Sequence, residues 1–416
     1  MGVLPVHGGL SEPVNLIVEK LDEAVELAPK VKVVDVDRTT LYRIADGTLS
    51  PITGPMDKTA YDLVLSGKCV MVGEEKYAWA IPIILPVTAD EAKTLTEGAK
   101  AALVDEEGKL FGSLDVSSKY EWDKAAFIKA VYGTDRLDHP GAKLWTSDDR
   151  DTLVGGTIAL LPFEDTREFK KYVMGPKEVR KLIEEKGFDY SVAFQTRNPL
   201  HRAHEYALVY GAETLLRTLD GKVGVVLNPL VGQLKGDDVP ASARMQTYIR
   251  LIEEKHLGEG DIDEELWKSK GQNLSDQTFL IGLDMRMYYG GPSEAIQHAI
   301  YRQNLGFSHF IVGRKHADAP YEDGSPIWGD FDAQTIFDEL GGKLEIKTVN
   351  VGFAAYFEEI GRVGLVADNK GKTAVNISGT KMRSLLNSGE KPDARVMRPS
   401  TAEVLIDYYT KKNQAE

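Results

Sequence analysis

From residue 190 onward the chain alternates between two hydrophobic patterns. Short apolar runs occur at Tyr190-Ser191-Val192-Ala193-Phe194, 223–227, 278–283 and His309-Phe310-Ile311-Val312. They have strand length and no polar face, the pattern of strands buried on both sides. Longer stretches at 199–219, 241–255 and 292–306 place apolar residues at helical spacing. This βα rhythm predicts a parallel sheet with covering helices. Charged helical segments at 166–171 and 176–186 lead into it. After residue 331 the pattern continues on a smaller scale. A helix over 333–340, strands over 344–348 and 363–366, a helix over 379–388 and an amphipathic tail helix over 401–411 are predicted.

The first part of the chain has a different texture. β-rich pieces at 31–36, 61–65 and 81–85 are separated by turns such as Gly47-Thr48-Leu49-Ser50-Pro51-Ile52-Thr53-Gly54-Pro55. Pro82 makes the third piece an edge strand or an irregular one. Residues 102–112 read as a hairpin around a polar Gly turn, and 19–28 as a short helix. The fold class expected is therefore α/β and multidomain. Residues 1–165 form an N-terminal β-rich, barrel-like domain. Residues 166–330 form a central Rossmann-like nucleotidyltransferase domain, and 331–416 a small C-terminal α/β domain with a terminal helix. The alternative for the first part is scattered strands within one large domain.

Length agrees with this division, because 416 residues exceed what one ordinary core holds. The net charge of -14 disfavours nonspecific binding to nucleic acid or an anionic membrane. It also makes any local cluster of Arg and His stand out. Cys69 is the only cysteine, so an internal disulfide is impossible and a cysteine-rich structural zinc site is excluded. Residues 1–7 lack the basic and long apolar segments of a secretory signal, and no apolar stretch has spanning length. A soluble cytoplasmic protein is the expectation.

The local basic cluster is Gln195-Thr196-Arg197-Asn198-Pro199-Leu200-His201-Arg202-Ala203-His204. It lies between a predicted strand and a predicted helix. Asn198 suits a helix cap and Pro199 a first turn. A helix start offers N–H groups and a positive dipole end to an anion, and Arg197 adds a two-pronged clamp. His201 and His204 lie one turn apart, on one side. The combination points to phosphate or a similar oxyanion, although no GxxxxGK[ST] loop is present. Each residue also has a plain reading: a salt bridge for Arg197, packing for a lone histidine, a metal pair for the two histidines, a turn for Gly290-Gly291.

These residues resemble the signature of the ATP sulfurylase, or sulfate adenylyltransferase, family. The resemblance continues through Asn228-Pro229-Leu230-Val231-Gly232 with Lys235, Asp237 and Pro240. It includes Met287-Tyr288-Tyr289-Gly290-Gly291-Pro292-Ser293-Glu294-Ala295 with His298-Ala299 and Arg302-Gln303-Asn304. Val312-Gly313-Arg314-Lys315-His316-Ala317, Ile377-Ser378-Gly379-Thr380, Arg383 and Arg398-Pro399 complete it, with Pro5-Val6-His7-Gly8-Gly9-Leu10 and Ser50-Pro51-Ile52-Thr53-Gly54 in the first domain. Several ordered motifs across the whole chain are specific where a lone HxxH is not.

The resemblance implies reversible transfer of AMP between ATP and sulfate, giving adenosine 5'-phosphosulfate and pyrophosphate. It implies Arg197, Asn198, His201, His204 and Arg314 as catalytic residues. Sulfate is implied to sit on Gln195, Arg197 and the Ala317 backbone. Nucleotide contacts are implied for Thr196, Asn198, His201, His204, Asn228, Gly290, Gly291, Arg314 and His316. Mg²⁺ is expected to arrive with ATP or pyrophosphate, with Asp237 and Asp238 as a candidate ligand pair and Lys235 as a pyrophosphate contact. A homo-oligomer follows from the family, with a two-fold dimer favoured. The chain departs from common family motifs at Tyr288 and Ser293, where arginines are usual, and at Lys315 and Asp318, where aspartate and glycine are usual. It also ends without a kinase-like extension. The competing readings are another adenylyltransferase, whose histidines commonly follow His-x-Gly-His spacing, and a noncatalytic anion-binding relative.

Overall fold

The computed structural model describes residues 2–234, 238–375 and 377–415. The first part is built on a five-stranded sheet. Its strands are β1 (Lys30–Lys32), β4 (Pro86–Val87), β5 (Lys100–Val104), β6 (Leu110–Glu121) and β7 (Thr152–Leu160), in the order β1-β5-β6-β7-β4. β2 (Cys69–Val72) and β3 (Glu75–Ala78) form a separate hairpin. The expected 102–112 hairpin is the antiparallel β5–β6 pair.

Two expected strands are corrected. The piece at 61–65 lies inside the helix Lys58–Gly67, which Asp57 caps by accepting the Ala60 N–H. Its apolar residues Tyr61 and Val64 are buried at i, i+3 spacing, so one helix face satisfies what looked like a strand. The piece at 31–36 is cut short because the helix Asp35–Ala45 begins inside it. Residues 81–85 form no regular strand, consistent with Pro82. The helix expected at 19–28 is a 3₁₀ turn, Glu23–Leu27, and that at 166–171 contracts to Lys170–Tyr172.

The second part carries the parallel sheet. Its strands are β8 (Tyr190–Phe194), β9 (Val223–Leu227), β10 (Thr278–Leu280), β11 (His309–Val312) and β12 (Lys347–Asn350), ordered β10-β9-β8-β11-β12. Every neighbouring pair is parallel. β9 and β11 are buried along their whole length, as the apolar runs 223–227 and 310–312 require. β12 lies beyond the expected boundary at 330, yet it pairs with β11 as the edge of this sheet. The sheet order turns back between β8 and β11. In such sheets ligands gather beyond the carboxyl ends of strands at this switch point.

Three helices fix that end of the sheet. Arg202–Thr218 follows β8, Ala241–Glu253 follows β9, and Gly291–Asn304 precedes β11. The last is buried at every position. Beyond it, β13 (Ala354–Phe357), β14 (Arg362–Leu365) and β15 (Ala374–Val375) form a small antiparallel sheet, and the helix Pro399–Ala415 packs on Ala241–Glu253.

The first part also buttresses the switch point. Tyr132 donates its hydroxyl to the Tyr288 carbonyl at 2.9 Å and receives the Trp145 indole N–H at 2.8 Å. The His139 ring nitrogen bonds the Ala319 carbonyl at 2.9 Å. The two loops that flank Ala317 are thereby held from behind by another layer of the molecule.

Candidate active site

The segment after β8 does not enter its helix where the sequence suggests. The helix begins at Arg202, and His201 is the flanking residue, with no side-chain cap. Asn198 is exposed and caps nothing, and Pro199 lies outside the first turn. An Asn198–Thr196 turn forms instead. Thr196 Oγ1 accepts the Asn198 N–H at 3.1 Å and donates to the Asn198 carbonyl at 2.9 Å. Tyr248 donates to that same carbonyl at 2.7 Å. Both backbone groups of Asn198 are thereby paired, and the residue is exposed.

The helix start is less open than the dipole argument assumes. The Arg202 N–H donates to the Val396 carbonyl at 2.8 Å. His204 and Glu205 N–H groups turn back onto the His201 carbonyl at 2.8 and 3.1 Å. Side-chain atoms beside it are left unpaired. Arg197 Nη1 and His204 Nδ1 are buried without a hydrogen-bond partner, as is Gln195 Oε1. Such orphans are costly unless a ligand meets them.

Each is held by its neighbours. Arg197 Nη2 donates to the Asp318 carbonyl at 3.1 Å, and its guanidinium lies 5.1 Å from the centre of the Tyr289 ring. His201 and His204 stack with ring centres 3.7 Å apart and planes 19° apart. Burial lowers the His201 pKa to about 4, and burial followed by the neighbouring His201 holds His204 well below its ordinary value. Both rings are therefore neutral near pH 7, which is what allows them to stack face to face. Two neutral imidazoles can each offer an N–H without repelling one another.

Opposite lies the loop after β11. Arg314 follows the strand end by two residues, as expected for a ligand-binding position. Its guanidinium sits 3.9 Å from the Phe353 ring centre and 3.3 Å from Asp330 Oδ1. Ala317 takes a left-handed backbone, φ 57°, and its carbonyl accepts the Gly291 N–H at 3.1 Å. This bond ties the two motif loops together. Gly291 itself has φ 49°, and a Cβ there would meet the Trp328 ring at 2.5 Å. Its glycine is explained by turn and packing, without a ligand. Gly290 donates its N–H to Glu294 Oε2 at 2.9 Å.

Two implied nucleotide residues sit deeper than a direct contact suggests. Asn228 is fully buried, its side-chain N–H donates to the Ile281 carbonyl, and its Oδ1 is unpartnered. His316 bonds His298 at 2.9 Å and meets Phe310 edge-on. Lys235 and Asp237 lie outside the described residues. Among the described residues no group of three or more His, Cys, Asp or Glu is arranged to hold a metal.

The departures from the family pattern also find places. Tyr288 stacks on Trp145 with planes 17° apart, and Ser293 donates to the Val131 carbonyl at 2.9 Å. Both positions are sealed against the first part of the chain. Lys315 is exposed and pairs with Asp330 at 3.6 Å, adding positive charge beside Arg314.

The sequence reading overlooked Glu294, His298 and Arg302 as interacting groups. They recur every four residues along a helix buried at every position. That spacing was the available signal, since polar side chains on one buried stripe must pair with something. Phe353, exposed beside Arg314, lacked any such signal.

A parallel sheet whose switch point gathers arginines, neutral histidines and unpaired polar groups defines a binding fold for anionic, nucleotide-like ligands. The comparisons narrow this. The ATP-sulfurylase family matches residues 170–408, and a PUA-like domain matches 6–163. A sulfate adenylyltransferase of Pyropia yezoensis is 65% identical over 99% of each chain. One from Halothermothrix orenii is 34% identical over 96% of this chain and 98% of its own. A solved structure titled hexameric APS kinase from Thiobacillus denitrificans superposes with a TM-score of 0.70 at 18% identity, covering 97% of this chain and 68% of that one. At that identity it supports the fold alone. The chain belongs to the ATP-sulfurylase family.

Proposed function

We propose that this chain is a sulfate adenylyltransferase: ATP and sulfate give adenosine 5'-phosphosulfate and pyrophosphate, reversibly. Family membership and the close relatives support the activity. The observation in the site that carries it is the pair of buried, unpartnered nitrogens on Arg197 and His204. Sulfate and a triphosphate are both polyanions, so their approach needs donors already in place.

In this reading Arg197 and Gln195 hold sulfate, helped by the Ala317 backbone. Asn198, His201, His204 and Arg314 face the triphosphate and stabilise charge on the leaving pyrophosphate. Thr196 sets the turn that presents Asn198. Asn228, Gly290, Gly291 and His316 act from behind, by shaping the loops. The parallel-sheet region is the nucleotidyltransferase domain and the first part an accessory domain that braces it. Magnesium neutralises phosphate charge when it arrives with the nucleotide.

A sulfate oxygen attacks the α-phosphorus directly while the bond to pyrophosphate breaks in line. No side chain placed in this cluster is a Ser or Cys nucleophile, and Cys69 is buried in β2. ATP made chiral at the α-phosphorus tests the step. One displacement inverts that centre. Net retention, together with an isolated adenylylated protein, refutes direct transfer.

A further inference from the structure

His298 lies in the middle of the fully buried helix Gly291–Asn304 and has no exposure of its own. Both ring nitrogens are engaged. Nδ1 is 2.9 Å from His316 Nε2, and Nε2 is 3.2 Å from Glu294 Oε1. Glu294 is anchored in turn: Oε1 accepts the Tyr288 N–H and Oε2 the Gly290 N–H, each at 2.9 Å. Burial raises the Glu294 pKa to about 7 and the two backbone donors oppose it, so the carboxyl is ionised above that pH. A carboxylate repels a ring lone pair, so once Glu294 is ionised His298 carries its proton on Nε2 and donates it to Glu294. Its Nδ1 then accepts from His316 Nε2–H.

This tautomer has a consequence for Gln195. Gln195 Nε2 stands 3.4 Å from the same His298 Nε2, which places two N–H donors face to face. Gln195 Oε1, at the other end of the amide, is buried with no donor. A half-turn of the amide removes the donor–donor conflict without changing its shape, because its oxygen and nitrogen are nearly equal in size, and the unpaired end becomes an NH₂ group. The oxygen then meets His298 Nε2–H as the long arm of a forked bond. The NH₂ group turns away from His298 toward the space that held the orphaned oxygen.

We propose that His298, fixed by Glu294 and His316, is a positioning residue that locks the Gln195 amide with its NH₂ toward the sulfate subsite. The proposal rests on the sulfate reading of Gln195 given above and names what makes that residue a donor. Without His298 the amide can present its carbonyl to a dianion, and attraction becomes repulsion. The effect falls first on sulfate, because the other partner of His298, His316, only shapes the loop behind the nucleotide.

The test is a double-mutant cycle on the full chain, with KM for sulfate and for ATP measured separately. His298→Ala should raise the sulfate KM at least about tenfold, the scale of one hydrogen bond to a charged group. The ATP KM should stay within about twofold. Gln195→Ala should raise the sulfate KM similarly, and the double variant should be no worse than Gln195→Ala. His298→Gln, which keeps a donor, should recover much of the loss. An unchanged sulfate KM in His298→Ala, a parallel rise in ATP KM, or multiplying effects in the double variant would overturn the proposal. If His298→Ala does not fold, the unaltered protein is used. The Gln195 side-chain NH₂ resonance, assigned by its loss in Gln195→Ala, should shift on adding sulfate, and a stationary resonance overturns the proposal. A wild-type protein without sulfate-dependent turnover fails the functional reading. An active wild type with an unmoved His298→Ala fails this inference alone.

Discussion

Replacing Arg398 by alanine should destabilise the protein far more than an average substitution. Glu205, four residues into the motif helix region, has no exposure. Its Oε2 receives Arg398 Nε at 2.7 Å and the Gly258 N–H at 3.0 Å, while Oε1 has no partner. Arg398 also donates to the Glu259 carbonyl at 2.9 Å. Removing the guanidinium strands a buried carboxylate, a loss of about 3–5 kcal/mol, or more than a hundredfold in the folded-to-unfolded ratio. Burial already raises the Glu205 pKa, with Arg398 opposing. In the variant that opposition disappears, so the folded state keeps a proton that the unfolded chain releases above its ordinary 4.5. The folded state is then progressively disfavoured as pH rises above 4.5, and the deficit should be larger at pH 8 than at pH 6. Urea unfolding at the two pH values measures both effects, and Glu205→Gln/Arg398→Met should recover most of the loss. A deficit below about 1 kcal/mol, equal at both pH values, refutes the reasoning.

Other substitutions probe separate links. Arg197→Ala removes the guanidinium whose Nη1 is unpaired and should lower turnover at least about 100-fold, and His204→Ala should damage turnover more than stability; steady-state kinetics with circular dichroism separates the two. Gly291→Ala combines left-handed backbone with a clash against Trp328 and should cost about 2–3 kcal/mol by thermal or urea unfolding. His7 is held by burial at about 4, so between its ordinary 6.5 and that value the unfolded chain takes a proton the folded chain refuses. Stability should fall with pH across that window, at about 1.4 kcal/mol per pH unit from this residue. His7→Gln keeps a donor for the Ala78 carbonyl, cannot titrate, and should flatten that slope in unfolding curves.

The parallel strands were legible because β9 is apolar throughout and β11 from Phe310 to Val312, which burial on both faces explains. The helix at 58–67 was not, since a short stretch with Tyr61 and Val64 apolar satisfies a strand and a helix alike. The motif cluster was legible as residue types in order. Its geometry was not: Asn198 and Pro199 look like a helix start, but the Thr196 hydroxyl captures the turn first and the helix waits until Arg202. The pairing of Glu294, His298 and His316 joins residues from a helix and a loop, and only the tertiary fold brings them to Gln195.

The most direct test of the account is ATP formation from adenosine 5'-phosphosulfate and pyrophosphate by the purified chain. ATP should form only with both substrates present and fall at least about 100-fold in Arg197→Ala. Folded wild-type protein that forms no ATP above the enzyme-free background, or an Arg197→Ala variant that forms it at the wild-type rate, would contradict it.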